Sequence, residues 1–230
     1  RKTIWVLSPT RSLHPEKVTE FFIFIPADIS ALTGSENMQT HNHNLQIDLA
    51  FPPLEDFLAG TIAQLGYPGA EAVSERVLIE IQEGIDRCRK LAAPAVLYRP
   101  TPFRKTSATK ILGENLCLAT VNWARLTRRM TDVSELLCLG VTLGEAVDET
   151  IRGLSQESLL QALVLDTAAS VLAESYADQI QQQVQHYYQQ KGLQASARFS
   201  PGYCDWPLQN GQQALFDFLT PAAIGLRVNA

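Results

Sequence analysis

The sequence predicts an α/β (α+β) fold: a single domain with a twisted, largely antiparallel sheet flanked by helices, one of them long. Three observations carry the prediction. Residues 156–190 contain neither proline nor glycine, and Ala169, Ala173, Tyr176, Ile180, Val184 and Tyr187 recur there at steps of three and four, the spacing of one buried helix face. Short apolar runs bounded by turn residues, "AVLYRP" and "ELLCLGVTLG", read as strands between the helical segments. The chain has 230 residues, of which 46% are apolar, enough for a sizeable core. No G-x-G-x-x-G follows a strand, so a doubly wound dinucleotide-binding sheet is not indicated.

The elements follow in order. Residues 1–45 lack periodicity and are rich in turn and polar residues. They read as a poorly ordered arm, with the domain proper over 46–230. "FFIFIPADI", at 21–29, is apolar but too short to span a bilayer and lacks a signal-peptide layout. Met38 leaves two readings of the arm: a segment translated from upstream of the true start, or a genuine N-terminal extension. His41 and His43, in "MQTHNHNLQ", read as loop or tail. "PPLEDFLAGTIAQLGY" opens with Pro-Pro and closes with Gly66, a start-and-stop pair for a short helix. "SERVLIEIQEGIDRCRKLAAP" is a second helix, capped by Ser74, with Val77, Ile81 and Ile85 on one face and Pro94 at its end. The strand "AVLYRP" follows, then an extended "TSATKILGENL" and a helix over "TVNWARLTRRMTDVSE". The buried strand "ELLCLGVTLG" passes into a helix at "VTLGEAVDETIRGL". The backbone N–H groups after Gly144 fit either a plain strand-to-helix turn or an anion site. The stretch 156–190 is one long helix or two joined ones. "LQASARFSPGY" then reads as a strand, "NGQQALFDFL" as a short helix and "AIGLRVN" as a last strand.

Composition excludes several function classes. The net charge is −5, with no basic patch, which argues against nucleic acid as a partner. No apolar run approaches the ~18 residues of a membrane span. Cys88, Cys117, Cys138 and Cys204 are widely spaced with no C-x-x-C, which points to reduced thiols in a cytoplasmic protein, three of them packed in apolar surroundings, and to no metal site. P-loop, H-E-x-x-H and G-x-S-x-G motifs are all lacking.

The chemistry-bearing stretch is "RFSPGYCDWPL", which runs from Arg198 to Leu208. A guanidinium at Arg198 can hold a carboxylate through two parallel hydrogen bonds. Gly202 allows close backbone approach, and Tyr203 supplies an aromatic face and a hydroxyl. Asp166, Ser170 and Glu174 form a stripe at i, i+4 and i+8 of the long helix, either a solvated edge or one wall of a polar pocket. If Glu174 faces the same cavity as Arg198, the pair complements an ammonium and a carboxylate, the two ends of an amino acid. Taken singly, the same residues also fit a surface ion pair at Arg198, a type II turn at Pro201-Gly202 and a core rim at Tyr203 and Trp206.

The string R-x-x-x-G-Y, carried by Arg198, Gly202 and Tyr203, followed by "DWPL", resembles the activation (reactivation) domain of cobalamin-dependent methionine synthase, and most of all its stand-alone branch. "LAESYAD", at 172–178, is similar to the helix that carries the family's S-adenosylmethionine-contacting glutamate, which falls on Glu174. The resemblance spans roughly Pro53 to Asn229 and includes "VTLG" at 141–144. It implies a module that binds S-adenosylmethionine and serves the reductive methylation of a cobalamin. Arg198 would take the methionyl carboxylate and Glu174 the amino group, with Gly202 and Tyr203 lining the approach. No D-x-H-x-x-G is present, so the cobalamin would come from a corrinoid-binding partner or the remaining methionine synthase domains, and the electron from a flavodoxin-type donor. The family continues past the last strand, and the chain is expected to be truncated before that segment. The chain would thus belong to a B12-dependent methyltransferase system. The alternative is a non-catalytic relative that binds a corrinoid protein or an amino-acid-like ligand.

Overall fold

The computed structural model describes residues 19–24, 26–28, 45–102, 104–105, 110–119, 135–202 and 206–219. The first strands are β1 (Thr19–Phe24) and β2 (Pro26–Asp28). Two helices follow, α1 (Leu54–Gln64) and α2 (Glu75–Leu91), joined through a single 3₁₀ turn at Ala70–Ala72. Next come the strands β3 (Ala95–Pro102), β4 (Arg104–Lys105), β5 (Lys110–Gly113), β6 (Leu116–Ala119) and β7 (Glu135–Thr142). The chain continues through α3 (Glu145–Glu157), α4 (Leu159–Gln190), β8 (Leu193–Ala195) and α5 (Leu208–Leu219). The helix expected over "TVNWARLTRRMTDVSE", the last strand "AIGLRVN", His41, His43, Tyr203 and Cys204 lie outside the described residues.

The fold is mixed α/β, and every strand pair is antiparallel. β7 is the middle of a three-stranded sheet of order β1-β7-β3. It is buried along almost its whole length, which is why it reads as a continuous apolar run instead of an alternating one. Its two faces serve two clusters. Leu137, Leu139 and Val141 pack with Val96 and Tyr98 of β3 into the helical layer built by α1, α2 and α4. Leu136 and Cys138 face the other way, with Leu97, into a smaller cluster made by β6 and α5. Register keeps the faces in phase, with Tyr98 opposite Leu139 and Leu97 opposite Gly140. Among the described residues β3 is the edge of this sheet, a position in which Pro100 and Pro102 are tolerated.

Three expectations are corrected. Of the arm expected over 1–45, two stretches lie in sheets: β1 pairs with β7 from Thr19 opposite Thr142 to Phe24 opposite Leu137, and β2 pairs with β8. The physical reason is the second open edge of β7, which the apolar run of β1 fills. The long helix begins at Leu159 and not at residue 156, because Ser158 is extended (φ −148°, ψ 102°) and its Oγ accepts from the Gln161 N–H at 3.4 Å. Its buried stripe runs through Ile180 and Val184 to Tyr188, while Tyr187 is only half-buried.

The polar end of α4 holds two extended segments. Gln183 accepts from the Asp48 N–H at 2.9 Å and donates to the Asp48 carbonyl at 2.7 Å. Gln179 does the same to Ala50, at 2.9 and 2.7 Å. A second pair grips the chain after β8: Gln181 accepts from the Arg198 N–H at 3.2 Å, and Gln185 donates to the Ser196 carbonyl at 3.5 Å. The spacing explains the pattern. Four helical residues rise about 6 Å, and two strand residues about 6.7 Å, so amides at i and i+4 meet every second residue of an extended chain. Among the described residues no helix is long and apolar enough to cross a membrane.

Candidate functional site

The stripe Asp166, Ser170, Glu174 on α4 is not a solvated edge along its length. Ser170 is buried, and Asp166 and Glu174 are half-buried. One further step of four reaches Asp178, which is exposed. Arg198 meets this end of the stripe. Its backbone is fixed by Gln181, as above, and its guanidinium reaches back across the helix. Nη2 donates to Glu174 Oε2 at 2.6 Å, and Nη1 donates to Asp178 Oδ1. The Arg198 side chain is 20% exposed, against 36% for Glu174 and 65% for Asp178, so the pairing sits at a water boundary and not in the core. Burial works to lower the Arg198 pKa, but its bonds to Asp178 and Glu174 outweigh that and hold it above its usual value. The guanidinium is therefore cationic at neutral pH.

The turn that follows is built for close contact. Gly202 has φ +90°, a backbone region that side chains other than glycine rarely adopt, and its N–H donates to the Trp206 carbonyl at 2.7 Å. Pro201 and Trp206 are buried. They lie against Gly211 of α5, where an added Cβ would come within 2.7 Å of Trp206 Nε1 and 2.8 Å of Pro201 Cβ. The glycine of "NGQQ" is thus what lets this turn dock on α5.

Of the four residues picked from sequence, Arg198 and Glu174 are in direct contact, Gly202 lies four residues beyond Arg198 in a left-handed turn, and Tyr203 lies outside the described residues. Two contributors were missed. Asp178 had a signal, since it continues the i, i+4 stripe by one step. Gln181 had none, because one glutamine among many on a polar helix gives no hint of its partner. The guanidinium expected to be open to a ligand carboxylate is engaged by two protein carboxylates. An incoming carboxylate would have to displace one of them or use the remaining N–H groups.

Other candidate groups do not converge here. The Gly144 N–H at the start of α3 bonds to Thr142 Oγ1 at 3.1 Å, as in a plain turn. Cys88 and Cys138 are buried. Burial pushes the Cys88 thiol up to about 12 and raises that of Cys138, against a smaller lowering by Arg99, so neither is a thiolate nucleophile near neutrality. Cys117 is exposed, since Leu116 and Leu118 turn inward on β6 and the residue between them must turn out; Cys204 lies outside the described residues, so the expectation of three packed thiols rests on it. Among the described residues no three His, Cys, Asp or Glu side chains are placed to hold a metal ion. A groove of about 360 Å³ along α4 is lined by Leu45, Gln183, His186 and Tyr187, among others, and does not include Arg198 or Glu174. No protein-family model matches the chain, and no curated protein matches it.

Proposed function

We propose that the chain is an S-adenosylmethionine-binding module that serves the reductive methylation of a cobalamin held by a partner, in a methyltransferase system such as methionine synthase. One observation supports the reading most: Arg198 and Glu174, picked for opposite charges on an amino-acid end, lie 2.6 Å apart although 24 residues separate them in sequence. The other support is the R-x-x-x-G-Y string itself, with its glycine in a left-handed turn.

The residues fit an amino-acid end by charge. Arg198 supplies the guanidinium for a carboxylate, and Glu174 the acceptor for an ammonium. Bound, S-adenosylmethionine supplies an electrophilic methyl group. The protein's part is to orient it: Gln181 fixes the Arg198 backbone, the two α4 carboxylates fix its fork, and Gly202 allows the left-handed turn that follows. A flavodoxin-type donor, the corrinoid partner and a cytoplasmic location belong to this proposal.

The second reading is a non-catalytic relative that binds a corrinoid protein or an amino-acid-like ligand. The observation in its favour is that both terminal nitrogens of Arg198 already have carboxylate partners, as in a purely structural ion pair.

Calorimetric titration separates the two. Wild type is expected to bind S-adenosylmethionine. Arg198→Ala is expected to lose about 1.5–3 kcal/mol, the range for a hydrogen bond to a charged group, a roughly 10- to 100-fold rise in Kd. Arg198→Lys should lose affinity as well, since a point charge does not replace a planar fork. A folded wild type that binds no S-adenosylmethionine leaves only the second reading. Binding that ignores Arg198 keeps the ligand and removes this site.

A further inference from the structure

We propose that Asp178 sets the charge preference of the Arg198 site, so that it selects a ligand of net charge +1 over an analogue with the same amino-acid end and no net charge. This rests on the reading of Arg198 and Glu174 as the seat of an amino-acid end.

A charge count carries it. Arg198 with Glu174 alone sums to zero, which matches a zwitterion and is indifferent to any further charge on the ligand. Asp178 adds a second carboxylate on the other terminal nitrogen of the same guanidinium, so the trio carries one positive and two negative charges. Among the described residues no second cation pairs with either carboxylate. The surplus negative charge therefore lies in the site itself. Asp178 is also the most exposed member of the trio, at 65%, so it is the carboxylate an approaching cation meets first. Its attraction is modest and screened by salt, as for any exposed charge.

S-adenosylmethionine and S-adenosylhomocysteine isolate this term. They share the adenosyl and amino-acid parts and differ by one methyl group and the sulfonium charge. A trio of net charge −1 favours the first and lets go of the second, which is the order a methyl-donor site needs.

The test is the ratio of the two affinities, measured by titration calorimetry for wild type, Asp178→Asn and Asp178→Glu at low and high ionic strength. Asn keeps the shape and removes the charge, while Glu keeps the charge. Wild type should prefer the sulfonium ligand, and Asp178→Asn should reduce that preference about two- to fivefold at low salt. Asp178→Glu should retain it, and the difference between wild type and Asp178→Asn should shrink as salt rises. The ratio cancels any change that frees Arg198 for both carboxylates alike, and thermal melts confirm folding. Equal shifts of both affinities in Asp178→Asn overturn this proposal and leave the site reading standing. A wild type that binds neither ligand overturns both.

Discussion

The two halves of α4 hold their neighbours by different means. From Ala162 to Ala177 the buried face is mostly Ala, Val, Leu and Tyr, packed against α1, α2 and β7. From Gln179 onward only Ile180, Val184 and Tyr188 stay buried. The work of attachment there passes to Gln179, Gln181, Gln183 and Gln185, whose amides bond to backbone at Ala50, Arg198, Asp48 and Ser196. The first half needs partners of the right shape. The second needs only an extended backbone, because a glutamine amide presents the same donor and acceptor as a peptide group. It follows that the segment carrying Arg198 is anchored by its main chain as well as by the ion pairs of the Arg198 side chain with Glu174 and Asp178.

The packed half should be the more costly to break. Leu172 is fully buried among helices and sheet. Leu172→Ala is expected to cost about 3 kcal/mol, within the range for a large-to-small change in a core. Urea denaturation followed by circular dichroism measures it. A loss under about 1 kcal/mol would mean that this half is loosely packed and that the contrast with the amide half is wrong.

Alkali should strike first at the buried thiols beside the packed half, because a thiol's ordinary pKa of 9.0 lies below the 10.0 of a tyrosine. Burial pushes Cys88 up to about 12, and burial together with the neighbouring Cys88 pushes Tyr176 up to about 12. Both pKa values are raised on folding, from 9.0 and 10.0. Between pH 9 and 12 the folded state holds protons that the unfolded state has released, so stability is full below about 9 and falls as pH rises. Cys88→Ala should reduce the fall that begins near pH 9 without abolishing it, because burial raises the Cys138 thiol from the same starting value, and should leave the later part, due to Tyr176 and Tyr188. A stability that is level from pH 8 to 11 in wild type contradicts this.

The same contrast marks what sequence made legible. Helical spacing located the buried face of α4, and the unbroken apolar run located β7, because both patterns are set by burial of the residues themselves. Arg198 and Glu174 were found as complementary charges. What stayed hidden depends on a partner far along the chain. The pairing of Thr19–Phe24 with β7 could not be inferred, since an apolar run names no partner strand, and polar composition around it suggested a detached arm. The break at Ser158 is a cap in the middle of an otherwise helical pattern. Asp178 was one step beyond the stripe that was noticed. The glutamines looked like solvated surface because nothing local distinguishes an amide facing water from one facing a backbone.

The smallest expected effects test the amide half atom by atom. Gln183 both accepts from and donates to Asp48, so Gln183→Ala loses two bonds, while Leu45, Ile47 and Leu49 keep their apolar contacts with the core. A net loss of about 1–2 kcal/mol is expected. Gln185 contributes a single bond at the outer limit of distance, 3.5 Å, and Gln185→Ala should stay within about 0.5 kcal/mol of wild type. Gln183→Glu is the more informative change. At neutral pH its carboxylate can still accept from the Asp48 N–H, but its second oxygen replaces a donor and faces the Asp48 carbonyl. Relief requires a proton on that oxygen, so the folded state raises the pKa of the new carboxyl above its unfolded value. The penalty should then be present at pH 7 and fade as pH falls through that raised pKa, opposite in sign to a carboxylate that gains a cationic partner. Hydrogen exchange at the Asp48 amide gives a local readout beside the global melt. If Gln183→Glu destabilises equally at pH 7 and at pH 4, relative to wild type at each pH, then the donor half of the Gln183 clamp contributes nothing.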